Sequence, residues 1–229
     1  MNLKGFLIDF GDTLAYIDKD GSRKYTEALL FILQKHGYRG DSDDLALGFD
    51  DAIVNSMKGE LKNLQEFWNL LLENLGIYNK SEVLIEELEK VRNRYSTTVF
   101  RLYNGALQVL AVLQKKYELA LVSNCAIGTS DVVRDLGLIG YFDCITLSYE
   151  VGVRKPDRRI YVDALKCLKL EPHDCIFVAD EISDLEGARE VGMKTILVRQ
   201  GLNTFNEAKD RNFQPDFQCN SISGITRFL

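Results

Sequence analysis

The feature that most constrains this chain is a set of short apolar runs, each ending abruptly in a polar residue. Phe6-Leu7-Ile8 stops at Asp9, Ala120-Leu121-Val122 at Ser123-Asn124, and Ile176-Phe177-Val178 at Ala179 and then Asp180. The runs are apolar on successive residues, the pattern of strands buried on both faces. From Tyr103 onward they alternate with helical periods. Gly105 to Lys116, Ser130 to Leu136, Arg159 to Leu168 and Ser183 to Val191 are expected helices. Leu119 to Val122, Cys144 to Leu147, Cys175 to Ala179 and Thr195 to Val198 are expected strands, with a weaker one near Phe217 to Cys219. Strands alternating with helices imply a parallel sheet wrapped on both faces.

Between the first run and the second the period is helical. Ala28, Leu29, Ile32 and Leu33 form one stripe; Leu64, Phe67, Trp68, Leu71, Leu72 and Leu75 a second; Val83, Leu84, Leu88 and Val91 a third. Gly37 and Gly76 stand where helices should end, because a residue just past a helix often adopts the left-handed conformation that glycine tolerates. This stretch has no proline and no convincing strand, and three or four helices are expected. The expected fold class is therefore α/β, a Rossmann-like doubly wound parallel sheet core with an inserted all-helical cap domain. Residues 1–15 and 99–229 would form the α/β catalytic core and 16–98 the cap.

The 229 residues suffice for one core and a smaller appendage. A net charge of −6 argues against nucleic acid or an anionic membrane as the main partner. No stretch is long enough to span a bilayer, and Phe6 to Ile8 is too short for a signal peptide, so the chain is read as soluble and cytoplasmic. The five cysteines, Cys125, Cys144, Cys167, Cys175 and Cys219, form no CxxC pair; they are expected to be small, buried, reduced residues. His36 and His173 lie far apart, and no metal-histidine or Ser-His-Asp arrangement is apparent.

In an open α/β sheet, ligands bind at the carboxyl ends of the strands. Asp9, Ser123-Asn124 and Asp180 would converge there. A strand ending in Asp, Asn or Ser is also what a turn or helix cap produces. Three such ends, with Lys155-Pro156 between the second and third, are more than capping requires. Asp9, Asp180 and Asp184 would gather negative charge in one cleft, which like charges do not tolerate without compensation. A divalent cation with oxygen ligands and retained waters, Mg²⁺, resolves this, and Lys155 adds a further positive charge. A phosphate dianion then has a place beside a carboxylate nucleophile.

DFGDTL (Asp9 to Leu14), LVSN (Leu121 to Asn124), Lys155 in GVRKPDRRIY and ADEISDLEGA (Ala179 to Ala188) resemble, in order, the four motifs of the haloacid dehalogenase superfamily. The resemblance covers nearly the whole chain, including the position of the cap. It implies a phosphoric monoester hydrolase acting on a small phosphorylated molecule. Asp9 would attack phosphorus and form an aspartyl-phosphate that water hydrolyses. Ser123 would hydrogen-bond the phosphoryl group, with the Asn124 backbone helping, and Lys155 would pair with Asp9 and the phosphoryl oxygens. Asp180 would bind Mg²⁺ directly with an Asp9 oxygen and the Gly11 carbonyl. Asp184 would hold the metal through water or steady Lys155, and Thr13 would orient the first loop. Tyr16 and Asp18 would lie on the hinge or rim. Phe67 and Trp68 would line the cleft or, as their helical spacing favours, fill the core.

The chain departs from the family at one place. The phosphatases carry a second aspartate two residues after the nucleophile as general acid and base; here Gly11 occupies it and Asp12 follows. Three outcomes are open: Asp12 substitutes, the leaving group is an acyl, aryl or anomeric oxygen that needs little protonation, or the protein binds phosphate ligands or a partner with weak or lost catalysis. A metal-independent 2-haloacid dehalogenase would use the same nucleophile on carbon, but such enzymes usually lack the acidic fourth motif kept here as Asp180 and Asp184. Ala179 replaces a common glycine, a minor change.

Overall fold

The computed structural model describes residues 3–200 and 213–228. Six parallel strands form one sheet: β1 (Gly5–Ile8), β4 (Glu118–Ser123), β5 (Cys144–Leu147), β6 (Cys175–Ala179), β7 (Lys194–Val198) and β8 (Phe217–Cys219). Their spatial order is β5-β4-β1-β6-β7-β8, which puts β1 inside the sheet and reverses the direction of winding beside it. The α/β reading holds, because the central strands are apolar toward both faces. Phe6 and Ile8 of β1, Leu119 and Leu121 of β4, and Ile176 and Val178 of β6 pack into one core. The alternate residues Leu7, Ala120, Val122, Phe177 and Ala179 pack into the other. Helices α5 (Ala106–Leu113) and α6 (Thr129–Asp135) cover the first face. Helices α8 (Arg158–Leu168) and α9 (Ile182–Val191) cover the second, and a short α7 (Ser148–Val151) follows β5.

Four helices lie between the first two strands of this sheet: α1 (Lys19–Lys35), α2 (Ser42–Met57), α3 (Leu64–Asn74) and α4 (Glu82–Val99). Each starts at a side-chain cap. Asp18, Asp41, Asn63 and Ser81 accept from backbone N–H groups of the first turn, contacts worth about 1 kcal/mol apiece. Gly37 and Gly76 follow α1 and α3 with φ of 93° and 71°, as their placement in the sequence predicts. The helices share a core of their own around Trp68, Leu71, Leu72, Leu33 and Leu88.

Two features were not anticipated. The chain enters and leaves the helical layer through a small antiparallel pair, β2 (Ala15–Ile17) with β3 (Phe100–Leu102). Strands of three residues carry too little periodicity to be seen in a sequence. The reading of all five cysteines as reduced is also corrected: Cys144 and Cys167 form a disulfide with Cα atoms 6.1 Å apart. They are separated by 23 residues, and only the packing of α8 against β5 brings them together. Cys125, Cys175 and Cys219 are free and buried. Among the described residues no helix is long and apolar enough to cross a membrane.

Candidate active site

Strand β1 ends at Ile8, which is in register with Leu121 of β4 and Val178 of β6. The next residue, Asp9, still donates its N–H to the Val178 carbonyl at 2.9 Å. Its carboxylate is thus fixed at the carboxyl edge of the sheet, between the ends of β4 and β6. Ser123 is the last residue of β4 and Asp180 the first after β6. The strand-end residues singled out in the sequence therefore share one edge.

Lys155 lies in the connection between α7 and α8, and its side chain is buried. Its Nζ is 2.6 Å from Asp9 Oδ1 and 2.7 Å from Asp184 Oδ2. Phe10 N–H donates to the same Asp9 Oδ1 at 2.7 Å. Both contacts use Oδ1, and neither uses Oδ2. The Asn124 side chain grips the lysine by its backbone, donating to the Lys155 carbonyl at 3.0 Å and accepting from the Lys155 N–H at 2.7 Å. Asp184 sits in the first turn of α9, and Tyr161 Oη donates to its backbone carbonyl at 2.7 Å. Burial works to lower the Lys155 ammonium, but the Asp184 and Asp9 carboxylates outweigh it and hold its pKa above the ordinary value.

Asp180 is 8% exposed and, among the described residues, makes no ion pair. Thr13 Oγ1 donates to its Oδ1 at 3.2 Å. Burial raises the Asp180 carboxyl to about 7, with the charges of Asp9 and Asp12 adding to the effect. Burial likewise raises Asp9 to about 6; Lys155 opposes this and Asp184 reinforces it. Asp12 has φ of 50°, and its Oδ1 accepts from the Tyr103 hydroxyl at 3.3 Å. Burial and the Asp12 carboxylate push the Tyr103 phenol up to about 12.

A model of the haloacid dehalogenase-like hydrolases matches residues 3–192. The chain belongs to this family. It is 24% identical to a protein of Methanopyrus kandleri named glyceraldehyde 3-phosphate phosphatase, over 94% of this chain and 92% of that one. Among solved structures it is similar to a HAD phosphatase from Thermococcus onnurineus, at 20% identity and a TM-score of 0.69, covering 99% of this chain and 97% of that one. It is also similar to a 2-haloacid dehalogenase from Pseudomonas syringae pv. Tomato, at 20% identity and a TM-score of 0.75, covering 98% and 97%. These two likenesses speak for the fold.

Several residues of this haloacid dehalogenase-like hydrolase were invisible to sequence reasoning. Tyr103 reaches Asp12 from beyond the helical layer and packs at a tilt against Tyr16, with ring centroids 4.9 Å apart. Gln200 donates to the Thr13 carbonyl at 2.6 Å, and Ser148 Oγ holds the Cys125 backbone after β4. Arg92 of α4 joins the layers by donating to Asp131 at 2.6 Å and to the Gly128 carbonyl at 3.2 Å. None of these follows a motif or spacing. Asp18, expected at the rim, caps α1 through Gly21 and pairs with Arg101 at 2.7 Å. Phe67 and Trp68 belong to the core of the helical layer.

Among the described residues no three His, Cys, Asp or Glu side chains gather into a metal site. A hard dication asks for less than that from a protein, since Mg²⁺ keeps several waters and takes one or two carboxylates. Asp9 and Asp180 supply two, both held above their ordinary pKa by burial. Two neighbouring buried carboxyls without enough cationic charge are the electrostatic deficit that such an ion offsets.

Proposed function

We propose that this chain hydrolyses phosphate monoesters of small molecules through an aspartyl-phosphate on Asp9, with Mg²⁺ as cofactor. The observation that carries the reading is the Asp9 carboxylate, whose Oδ1 is committed to Lys155 and the Phe10 N–H while neither contact engages Oδ2. An anionic nucleophile cannot approach a phosphate dianion in water-poor surroundings without positive charge beside it. Lys155 supplies part of that charge, and its own burial keeps it from straying.

In the first step Asp9 Oδ2 bonds to phosphorus and the ester P–O bond breaks, its electrons leaving on the alcohol oxygen. Ser123 donates its hydroxyl to the phosphoryl oxygens, and Lys155 spans them and Asp9. Asn124 and Asp184 position Lys155, one by its backbone and one by its ammonium. In the second step water attacks phosphorus, inorganic phosphate leaves and the Asp9 carboxylate is restored. Asp12, whose carboxylate accepts from the Tyr103 hydroxyl, would take a proton from that water. Asp9, Asp180 and the Gly11 carbonyl would hold Mg²⁺, with Thr13 orienting Asp180; when bound, the ion supplies Lewis-acid neutralisation of phosphoryl charge. Residues 16–98 act as a cap over a core of residues 1–15 and 99–229, closing the site against water. The name of the Methanopyrus relative supports the phosphatase reading over the dehalogenase one.

The test is release of inorganic phosphate, with and without Mg²⁺, from aryl, acyl, anomeric-sugar and alkyl phosphates, with Asp9→Asn as control. Mg²⁺-dependent release that disappears in Asp9→Asn is expected. A folded protein that binds Mg²⁺ and releases phosphate from no class of ester refutes the reading.

A further inference from the structure

We infer that Gln200 is a positioning residue for the Mg²⁺ site: its side-chain amide fixes the backbone of Thr13, and the Thr13 hydroxyl in turn holds the Asp180 carboxylate in place for the ion. The inference deepens the phosphatase reading and rests on it.

The loop after Asp9 closes on itself. The Phe10 carbonyl accepts from the Leu14 and Ala15 N–H groups, both at 2.9 Å, and the Asp12 N–H donates to the Ala15 carbonyl at 2.7 Å. None of these bonds uses Thr13, which is fully buried. Its polar groups turn to distant partners. The hydroxyl donates to Asp180 Oδ1 at 3.2 Å, and the carbonyl accepts from Gln200 Nε2 at 2.6 Å. A buried carbonyl is costly to leave without a donor. Here a side chain 187 residues away supplies one. Threonine is branched at Cβ and stiff at χ1, so a fixed Thr13 backbone also fixes its hydroxyl.

Gln200 is itself held from behind. It follows the end of β7 at the carboxyl edge of the sheet, and the Arg199 N–H before it still donates to the Cys219 carbonyl of β8 at 2.8 Å. Gln200 Oε1 accepts from the Ile222 N–H at 2.7 Å. Ile222 opens the 3₁₀ turn Ile222–Phe228, and its side chain is buried in the core under the sheet. A backbone N–H only donates and a carbonyl only accepts, so these two partners leave the amide one orientation. The result is a continuous strut of hydrogen bonds, Ile222 to Gln200 to Thr13 to Asp180. Asp180 makes no ion pair among the described residues, so the Thr13 hydroxyl is what steadies its carboxylate. Mg²⁺ demands near-ideal octahedral geometry. Groups that orient its ligands from the next shell therefore matter: losing one typically costs about 10- to 100-fold in metal affinity.

The test titrates Mg²⁺ alone and reads the rise in melting temperature, beside phosphate release from an aryl phosphate, in the parent, Gln200→Met, Thr13→Val and the double variant. Gln200→Met keeps the length of the side chain and removes both of its hydrogen bonds. Gln200 is half-buried; Gln200→Asn, too short to span both partners, is the second variant should methionine not fold. The Mg²⁺ concentration at half-effect should rise roughly tenfold or more in Gln200→Met, while saturating Mg²⁺ restores most of kcat. In the Thr13→Val background the same substitution should change it by no more than about twofold, because no hydroxyl is left to place. A purely structural role predicts the opposite: a lower melting temperature without metal and an unchanged Mg²⁺ response, or a loss as large in Thr13→Val as in the parent. Either result would overturn the inference and leave the phosphatase reading standing. A parent that binds Mg²⁺, with the expected loss in Gln200→Met, but releases no phosphate from any class of ester would overturn the phosphatase reading and leave the role of Gln200 at the metal site intact. A parent that does not respond to Mg²⁺ at all would overturn the inference.

Discussion

Replacing Asp180 with asparagine should stabilise the metal-free protein, and by an amount that depends on pH. In the unfolded chain this carboxyl ionises near its ordinary 3.8; in the folded chain burial and the charges of Asp9 and Asp12 raise it to about 7. Between those values the folded form retains a proton that the unfolded form has lost, so stability falls as pH rises through the window. The cost is absent below pH 3.8 and complete once the pH passes about 7. At 1.36 kcal/mol per pH unit the full effect is about 4 kcal/mol, of which about 2–3 kcal/mol develops between pH 5 and 8. Asparagine carries no charge at any pH and keeps an oxygen for the Thr13 hydroxyl. In urea denaturation followed by circular dichroism, with EDTA present, Asp180→Asn should be about 2–4 kcal/mol more stable than the parent at pH 8. The advantage should shrink by roughly 2–3 kcal/mol at pH 5. Added Mg²⁺ should stabilise the parent at pH 8 and leave the variant unaffected. A variant less stable than the parent at pH 8, or a difference that does not change with pH, would refute the claim that Asp180 is an uncompensated buried charge.

Lys155→Met strands Asp9 and Asp184 as buried, unpaired carboxylates; it should lower stability by about 3–5 kcal/mol at neutral pH and abolish phosphate release, as read by urea denaturation and a phosphate assay. Arg92→Ala removes the link from α4 to Asp131 and Gly128; thermal melts should show a loss of about 1–3 kcal/mol, and KM should rise more than kcat falls. A Cβ built on Gly11 meets no atom within 4 Å, so Gly11→Asp should fold normally. It returns an acid to the vacant place and should raise kcat on alkyl phosphates by roughly 10²- to 10⁴-fold while changing aryl phosphates little, measured by steady-state phosphate release.

What was legible in the sequence was local chemistry repeated at one topological position. Asp9, Ser123 and Asp180 each close an apolar run, and a parallel sheet necessarily puts the ends of such runs on one edge. The helical layer was legible because its stripes are long enough for a 3.6-residue period to emerge. Tyr103 and Gln200 were not legible. Tyr103 reaches Asp12 across 91 residues and Gln200 reaches Thr13 across 187, and neither is marked by a neighbour of its own. The Cys144–Cys167 pair failed for the same reason: with an odd number of cysteines and no short spacing, only the packing of α8 on β5 selects the partners.

Phe67 and Trp68 show why substrate is harder to read than mechanism. Their place in the stripe Leu64, Phe67, Trp68, Leu71 and Leu72 is that of a helix core, and the structure does place them in the core of the helical layer. The same rings form part of the cavity wall beside the loop after β4. A sequence pattern reports that a side chain is withdrawn from water; it does not report whether protein or ligand completes its surroundings. The charged residues escape this ambiguity because burying them is costly without a partner. Lys155 with Asp9 and Asp184 therefore betrays a site wherever the chain puts them, whereas a buried aromatic ring betrays only an interior. The division follows the architecture. The sheet edge, held by strand register, carries the groups whose cost demands a function, and the layer inserted after β1 carries apolar surface whose burial alone names none.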